Sequence, residues 1–321
     1  MKKDVVFILV LFLLNCCSTN DTTANNNYDV EIYSHYINRD PKNQNGNNYY
    51  RRSQAYIQLE KFHEALADIT KAIEINPENA EYFNVRGTIS YFIGNFQEAV
   101  KDYSTAIKLN PRNVDYYCNR STVYSLLGDQ QKALDDCNNA LTIMPQSPKV
   151  YRNRGAIYYL TENYQDALED INLAISISAN DAIAYNIRGS IHLKTIQYAK
   201  AIDDFHKAIL LDPTYLNAYI GLGTAYYSLG EYQQAKDYFT RAINIKNDYT
   251  ALYKRGIVLV DEGKYEEALR DIDNAISIYK ITHGGVDVGE MLEIKNMILE
   301  KLGQLRGDTQ LDTTVTDTKI P

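Results

Sequence analysis

Tryptophan is absent from the 321 residues, histidine occurs five times, and cysteine four times, two of those within the first seventeen positions. These shortages exclude much chemistry. His35, His63, His192, His206 and His283 are scattered without ligand spacing, and no cysteine pair stands in a metal motif. Glycine-rich phosphate loops are missing too, so the sequence predicts no metal, no cofactor and no enzyme. Lysine and arginine form no long run, and a net charge of -8 opposes the phosphate attraction that nucleic-acid binding needs. Beyond the first seventeen residues only Cys118 and Cys137 remain, either as small buried thiols or as a bridge in an oxidising compartment. What is present is an ordinary globular balance, 45% apolar and 23% charged, together with 28 tyrosines. Tyrosine offers contact area with a polar tip and few rotatable bonds.

The chain opens with Lys2 and Lys3, an apolar run from Val5 to Leu14, and then Asn15-Cys16-Cys17. Ten apolar residues are too few to span a bilayer as a helix, and the pattern predicts a secretory signal over residues 1–17. With a leucine three residues before a cysteine and a polar stretch after it, the segment resembles a bacterial lipoprotein signal. It departs from that pattern in carrying Asn15 where a small residue is usual. The resemblance implies lipidation at Cys16, with Cys17 as the alternative; an ordinary cleaved signal is the other reading. Localisation follows from it: export across the inner membrane and a lipid anchor at the bacterial cell envelope.

The middle of the chain repeats. Ala65, Ala99, Ala133, Ala167, Ala201 and Ala235 stand 34 residues apart, and Ala268 follows after 33. Ala72, Ala106, Ala140, Ala174, Ala208, Ala242 and Ala275 each lie seven residues further, two helical turns along one face. Twelve residues before each first alanine sits a small residue: Ser53, Gly87, Ser121, Gly155, Gly189, Gly223 or Gly256. Two antiparallel helices approach closely only where neither presents a bulky side chain, so these positions mark the crossing of a helical hairpin. Turns such as Gly94-Asn95 and Gly128-Asp129 end the first helix, and prolines such as Pro77 and Pro111 follow the second. Ala179, Asn247 and Lys280 replace that proline in three units.

Such a pattern resembles the tetratricopeptide repeat, matched at nearly every landmark over residues 46 to 282. The resemblance implies an all-α fold: a right-handed α-solenoid of seven TPR helix hairpins with a C-terminal capping helix, and a concave groove lined mainly by the first helices. The predicted units are 46–79, 80–113, 114–147, 148–181, 182–215, 216–248 and 249–282. Residues 18–45 are read as a polar tether and N-terminal cap, 283–303 as a capping helix, and 304–321 as a disordered tail. A single hairpin cannot bury its own face, which is why caps are needed.

Arg52, Arg86, Arg120, Arg154, Arg188 and Arg255 precede six of the small residues, and Asp68, Asp102, Asp136, Asp170, Asp204 and Asp271 follow those arginines by sixteen. In the sixth unit Leu222 and Tyr238 replace both together, which predicts structural ion pairs between the helices and not an anion-binding ladder. Family geometry directs Tyr50, Gln54, Asn84, Thr88, Tyr91, Arg152, Tyr159, Asn186, Ser190, Lys194 and Tyr227 to the groove as a peptide-binding face. Some relatives clamp a terminal carboxylate with lysines and asparagines; Tyr50, Asn84, Cys118, Gln54, Thr88 and Thr122 stand at those places here. The functional expectation is a scaffold for a protein or peptide partner, with an arrangement similar to NlpI-like envelope lipoproteins. A glycan or peptidoglycan binder using groove tyrosines and asparagines is the alternative, and a regulatory subunit of an envelope hydrolase a third reading.

Overall fold

The computed structural model describes residues 23–39, 46–282 and 288–312, with side chains from Asn26 to Leu305. Cys16 and Cys17, the 283–287 linker and residues 313–321 lie outside that range. Every regular element among the described residues is an α-helix. The chain divides into two compact units, residues 1–179 and 180–321.

The first unit holds α1 (Thr23–Arg39) and four hairpins: α2 (Asn47–Gln58) with α3 (Phe62–Ile75), α4 (Ala80–Phe92) with α5 (Phe96–Leu109), α6 (Val114–Leu126) with α7 (Gln130–Ile143), and α8 (Pro148–Leu160) with α9 (Tyr164–Ile177). Helix α1 packs on α2, and the second helix of each hairpin packs on the first helix of the next. The second unit holds α10 (Ala182–Lys194) with α11 (Tyr198–Leu211), α12 (Leu216–Ser228) with α13 (Tyr232–Ile245), α14 (Tyr249–Asp261) with α15 (Tyr265–Thr282), and α16 (Gly289–Asp312). Its stacking rule is the same, with α16 seated on α15.

All fourteen repeat alanines have zero exposed surface, so the spacing marks the seam where helices meet. Packing at each crossing is set by a pair of residues sixteen apart. A Cβ on Gly223 would lie 2.6 Å from the Phe239 ring, and one on Gly155 only 2.8 Å from Ile171. Serine fits at 121 because its counterpart is the small Cys137, and its hydroxyl donates to the Cys118 carbonyl at 2.8 Å. Five of the seven first helices begin where a side chain caps the exposed N–H groups: Asn79 accepts from the amide of Glu81, Asn113 from Asp115, Ser147 from Val150, Asp181 from Ala184 and Asp248 from Thr250.

They end in a left-handed residue. Four hairpins use Gly94, Gly128, Gly230 and Gly263 there, but Glu60, Glu162 and Ile196 hold the same conformation in the others. At Ile196, a branched side chain at φ 61°, the backbone is strained.

Helix α16 buries Ile298 and Leu302 against Leu259, Ala268, Ile272 and Ile276, with Val288, Met291 and Ile294 packed around them. The helix continues to Asp312, past Gly303, into the stretch read from sequence as tail. No helix among the described residues is long and apolar enough to cross a membrane.

Candidate functional site

Six arginines and six aspartates stand between the helices of their own hairpins. Nε and Nη2 of each arginine grip the two carboxylate oxygens at 2.6–2.9 Å. Where a hydroxyl or amide is available on the preceding helix, Nη1 reaches it: Ser34, Ser104, Asn138 and Thr240 accept at 2.7–2.9 Å. The aspartates are buried and the arginines half-buried, so the ladder ties the stack together. In the sixth hairpin Leu222 is buried, Tyr238 stacks on Tyr226 at 5.4 Å, and the Arg241 guanidinium lies 5.1 Å from the centre of the Tyr238 ring.

On the first-helix face of the first unit, Gln54 Nε2 donates to Tyr50 Oη at 2.9 Å, and the Tyr50 ring packs on Tyr82 at 5.2 Å. Asn84 Nδ2 donates to Glu81, Asn119 Nδ2 donates to Asn84 Oδ1 at 3.0 Å, and Tyr116 Oη donates to the other Glu81 oxygen. Burial pushes the Glu81 pKa up, against the hydrogen bonds from Asn84 and Tyr116. Thr88 Oγ1 donates to the Asn84 carbonyl and lies 3.1 Å from Tyr103 Oη. Asn84 and Thr88 are thus held inside a polar network that crosses from α4 to α6.

Tyr91 and Tyr159 differ from these. Their rings pack on Phe96 and Tyr164 at 6.0 Å. Neither hydroxyl has a hydrogen-bond partner among the described residues, and neither is sealed from solvent. Burial pushes the Tyr159 pKa up to about 12 and raises that of Tyr91 as well. Both are therefore neutral hydroxyls, able to donate and to accept.

In the second unit Ser190 Oγ donates to the Asn186 carbonyl at 2.9 Å, Lys194 is exposed, and Tyr227 Oη donates to Asp261 at 2.6 Å. That bond, with burial, pushes the Tyr227 pKa up to about 12. Asn186 keeps only 2% of its surface, and its Oδ1 has no partner.

Among the eleven groove candidates, Arg152 and Tyr159 are 8% exposed and Asn186 is 2% exposed. Consecutive first helices pack against each other, α6 on α8 and α10 on α12, so part of this face is seam. Sequence reasoning passed over Glu81, Asn119 and Lys254. Asn119 meets Asn84 at a separation of 35 residues, one more than the repeat, so a search at constant phase does not align them.

Cys118 and Cys137 are free, buried thiols, and burial pushes the Cys118 pKa up to about 12. No group of three histidine, cysteine, aspartate or glutamate side chains converges among the described residues.

Models of the tetratricopeptide repeat match residues 47–79, 114–147 and 180–248, and a TPR repeat model matches residues 87–128. No curated protein matches the sequence. Among solved structures, yeast Tom70 is 16% identical, with 99% of this chain and 68% of that one covered at a TM-score of 0.69. A tetratricopeptide repeat protein from Parabacteroides merdae is 21% identical, covering 80% of this chain and 99% of its own at 0.63. The APC/C hetero-tetramer Cut9-Hcn1 matches at 0.67 with 16% identity and 93% of this chain, which spans 55% of that chain's length. These likenesses concern the fold. With its period, its packed alanine seams and these matches together, the chain is a tetratricopeptide repeat protein.

Proposed function

We propose that this protein is a non-catalytic scaffold that holds a peptide segment of a protein partner against its first helices, at the bacterial cell envelope. The fold is typical of protein–protein interaction scaffolds. The observation that carries the peptide reading is the pair Tyr91 and Tyr159: anchored rings whose hydroxyls reach solvent without a partner. Rigid aromatic contacts with an unsatisfied polar tip suit a peptide, which offers N–H and C=O groups along its length. Tyr91→Phe with Tyr159→Phe removes both hydroxyls and keeps the rings, so the fold is preserved. Cross-linked co-purification of the partner should fall several-fold in this variant; unchanged capture would move the contact off these helices. A parallel pull-down on peptidoglycan sacculi tests the glycan alternative, which gains if sacculi and not protein are retained.

The anchor in this reading is a lipid on Cys16, or on Cys17, after export. Acyl chains supply the membrane affinity, and the residues after the cysteine act as a tether. Mass spectrometry of the mature N-terminus should find an acylated cysteine and detergent partitioning. An unmodified start beyond Cys17 in the aqueous phase would refute the anchor.

A further inference from the structure

In the first six hairpins at least one tyrosine or phenylalanine flanks the small residue of the first helix, four positions before it or three after it. The seventh carries Leu252 and Leu259 at those two places, and both are buried. The consequence falls on the ladder arginine between them. Arg52, Arg86, Arg120, Arg154 and Arg188 each lie 5.3–5.9 Å from the centre of an aromatic ring on their own helix. Arg255 donates from its edges to Asp271 and Thr240 at 2.7–2.9 Å, but no ring among the described residues covers its face.

At that place a cleft of about 380 Å³ opens between α13, α14 and α15. Half-buried Arg255 and buried Leu259 line it, together with the exposed residues Gln233, Asp237 and Glu267. A second replacement shapes the same cleft. The residue after the first repeat alanine is aliphatic in six hairpins and Lys236 in the sixth, and its ammonium lies 2.6 Å from Glu262. The half-buried cations of the cleft are thus both committed, Arg255 to Asp271 and Lys236 to Glu262. Among its exposed charges Asp237 and Glu267 outnumber Arg270, so an anion finds no free buried cation and faces like charge.

A neutral ring with a hydroxyl gains twice there. Its face stacks on the guanidinium plane, and its O–H donates to a carboxylate at the mouth. The chain makes the second kind of bond elsewhere in this unit, Tyr227 to Asp261 at 2.6 Å and Tyr253 to Glu290 at 2.7 Å.

We infer that this cleft receives a tyrosine side chain of a docked protein segment, stacked on Arg255 where other hairpins supply a ring of their own. None of the eleven first-helix groove candidates lines it, so it is a separate contact point that goes beyond the groove reading and stands independently of it.

The test is ligand-observed NMR titration of the full chain with three capped pentapeptides, glycine throughout except for a central tyrosine, phenylalanine or leucine. The tyrosine peptide should bind about fivefold or more tightly than the leucine peptide, and more tightly than the phenylalanine peptide. Leu259→Tyr restores the ring found at positions 56, 124, 158 and 226, and should weaken the tyrosine peptide by about fivefold or more while urea unfolding stays cooperative. Asp237→Asn with Glu267→Gln alters exposed carboxylates only, so the fold is kept, and should bring the tyrosine peptide down to the phenylalanine peptide's affinity. Equal binding of the tyrosine and leucine peptides, or undiminished binding by folded Leu259→Tyr, overturns the cleft as a ring site. Equal binding of the tyrosine and phenylalanine peptides overturns the tyrosine assignment. Self-association of the full chain that Leu259→Tyr abolishes would seat a second copy there and overturn the foreign segment. Tyr91→Phe with Tyr159→Phe lies in the other unit and should leave all three titrations unchanged, so the groove reading and the cleft fail separately.

Discussion

Removing Arg154 should cost far more than removing its partner Asp170. Arg154 Nε and Nη2 donate to the Asp170 carboxylate at 2.7 and 2.8 Å, and Nη1 donates to Asn138 Oδ1 at 2.7 Å. Asp170 keeps 4% of its side-chain surface, whereas Arg154 keeps 20% and lies over the Tyr151 ring. In Arg154→Met the carboxylate stays buried with neither counterion nor donor, a loss of about 3–5 kcal/mol by comparison with other broken buried pairs. In Asp170→Leu the guanidinium still reaches water and Asn138, and the loss should be about 1–2 kcal/mol. The double variant Arg154→Met/Asp170→Leu leaves no buried charge behind and should be milder than Arg154→Met alone. Asn138 is exposed and exchanges its donor for water.

Urea unfolding of the full chain by circular dichroism, analysed as a double-mutant cycle, reads the coupling directly. Additive single effects, or an Arg154→Met loss below about 1 kcal/mol, would refute the claim that this ladder is a set of desolvated pairs.

Gly223→Ala places a Cβ 2.6 Å from the Phe239 ring and should destabilise by about 1–3 kcal/mol, seen as a lower urea midpoint; the same change at Gly230, where nothing lies near but φ is +77°, acts through the backbone alone. Ile196→Gly should stabilise by about 1 kcal/mol, because Ile196 is strained at positive φ and 73% exposed, so little burial is lost; no gain in the melting transition would show the turn relaxes some other way. His192 has its pKa lowered, first by burial and then by Arg188 and Lys200, against Asp204. A folded-state pKa below the unfolded value near 6.5 means that unfolding takes up a proton, so stability is full above pH 6.5 and falls as pH drops through the folded pKa. His192→Tyr, the residue found at the equivalent positions 158 and 226, should abolish that acid-side loss, which parallel urea curves at pH 7.5 and 5.5 would detect.

The amino-acid sequence alone determined the hairpins. Alanine at a 34-residue period and a small residue twelve positions earlier specify where two helices touch, because contact distance there depends on side-chain size and on nothing remote. The joint replacement of Arg and Asp by Leu222 and Tyr238 exposed the pairing for the same reason: both partners belong to one hairpin, sixteen residues apart. Tertiary structure decided what happens between hairpins. Asn186 and Tyr159 were legible as first-helix face, but how much of that face is left open depends on how closely the next first helix approaches, which no single repeat encodes. Lys254 reads in sequence as one more charge on an amphipathic helix. Glu290, the acid that acts on it, belongs to α16 and accepts from Tyr253 Oη, an arrangement that exists only once the last hairpin and the C-terminal helix have packed.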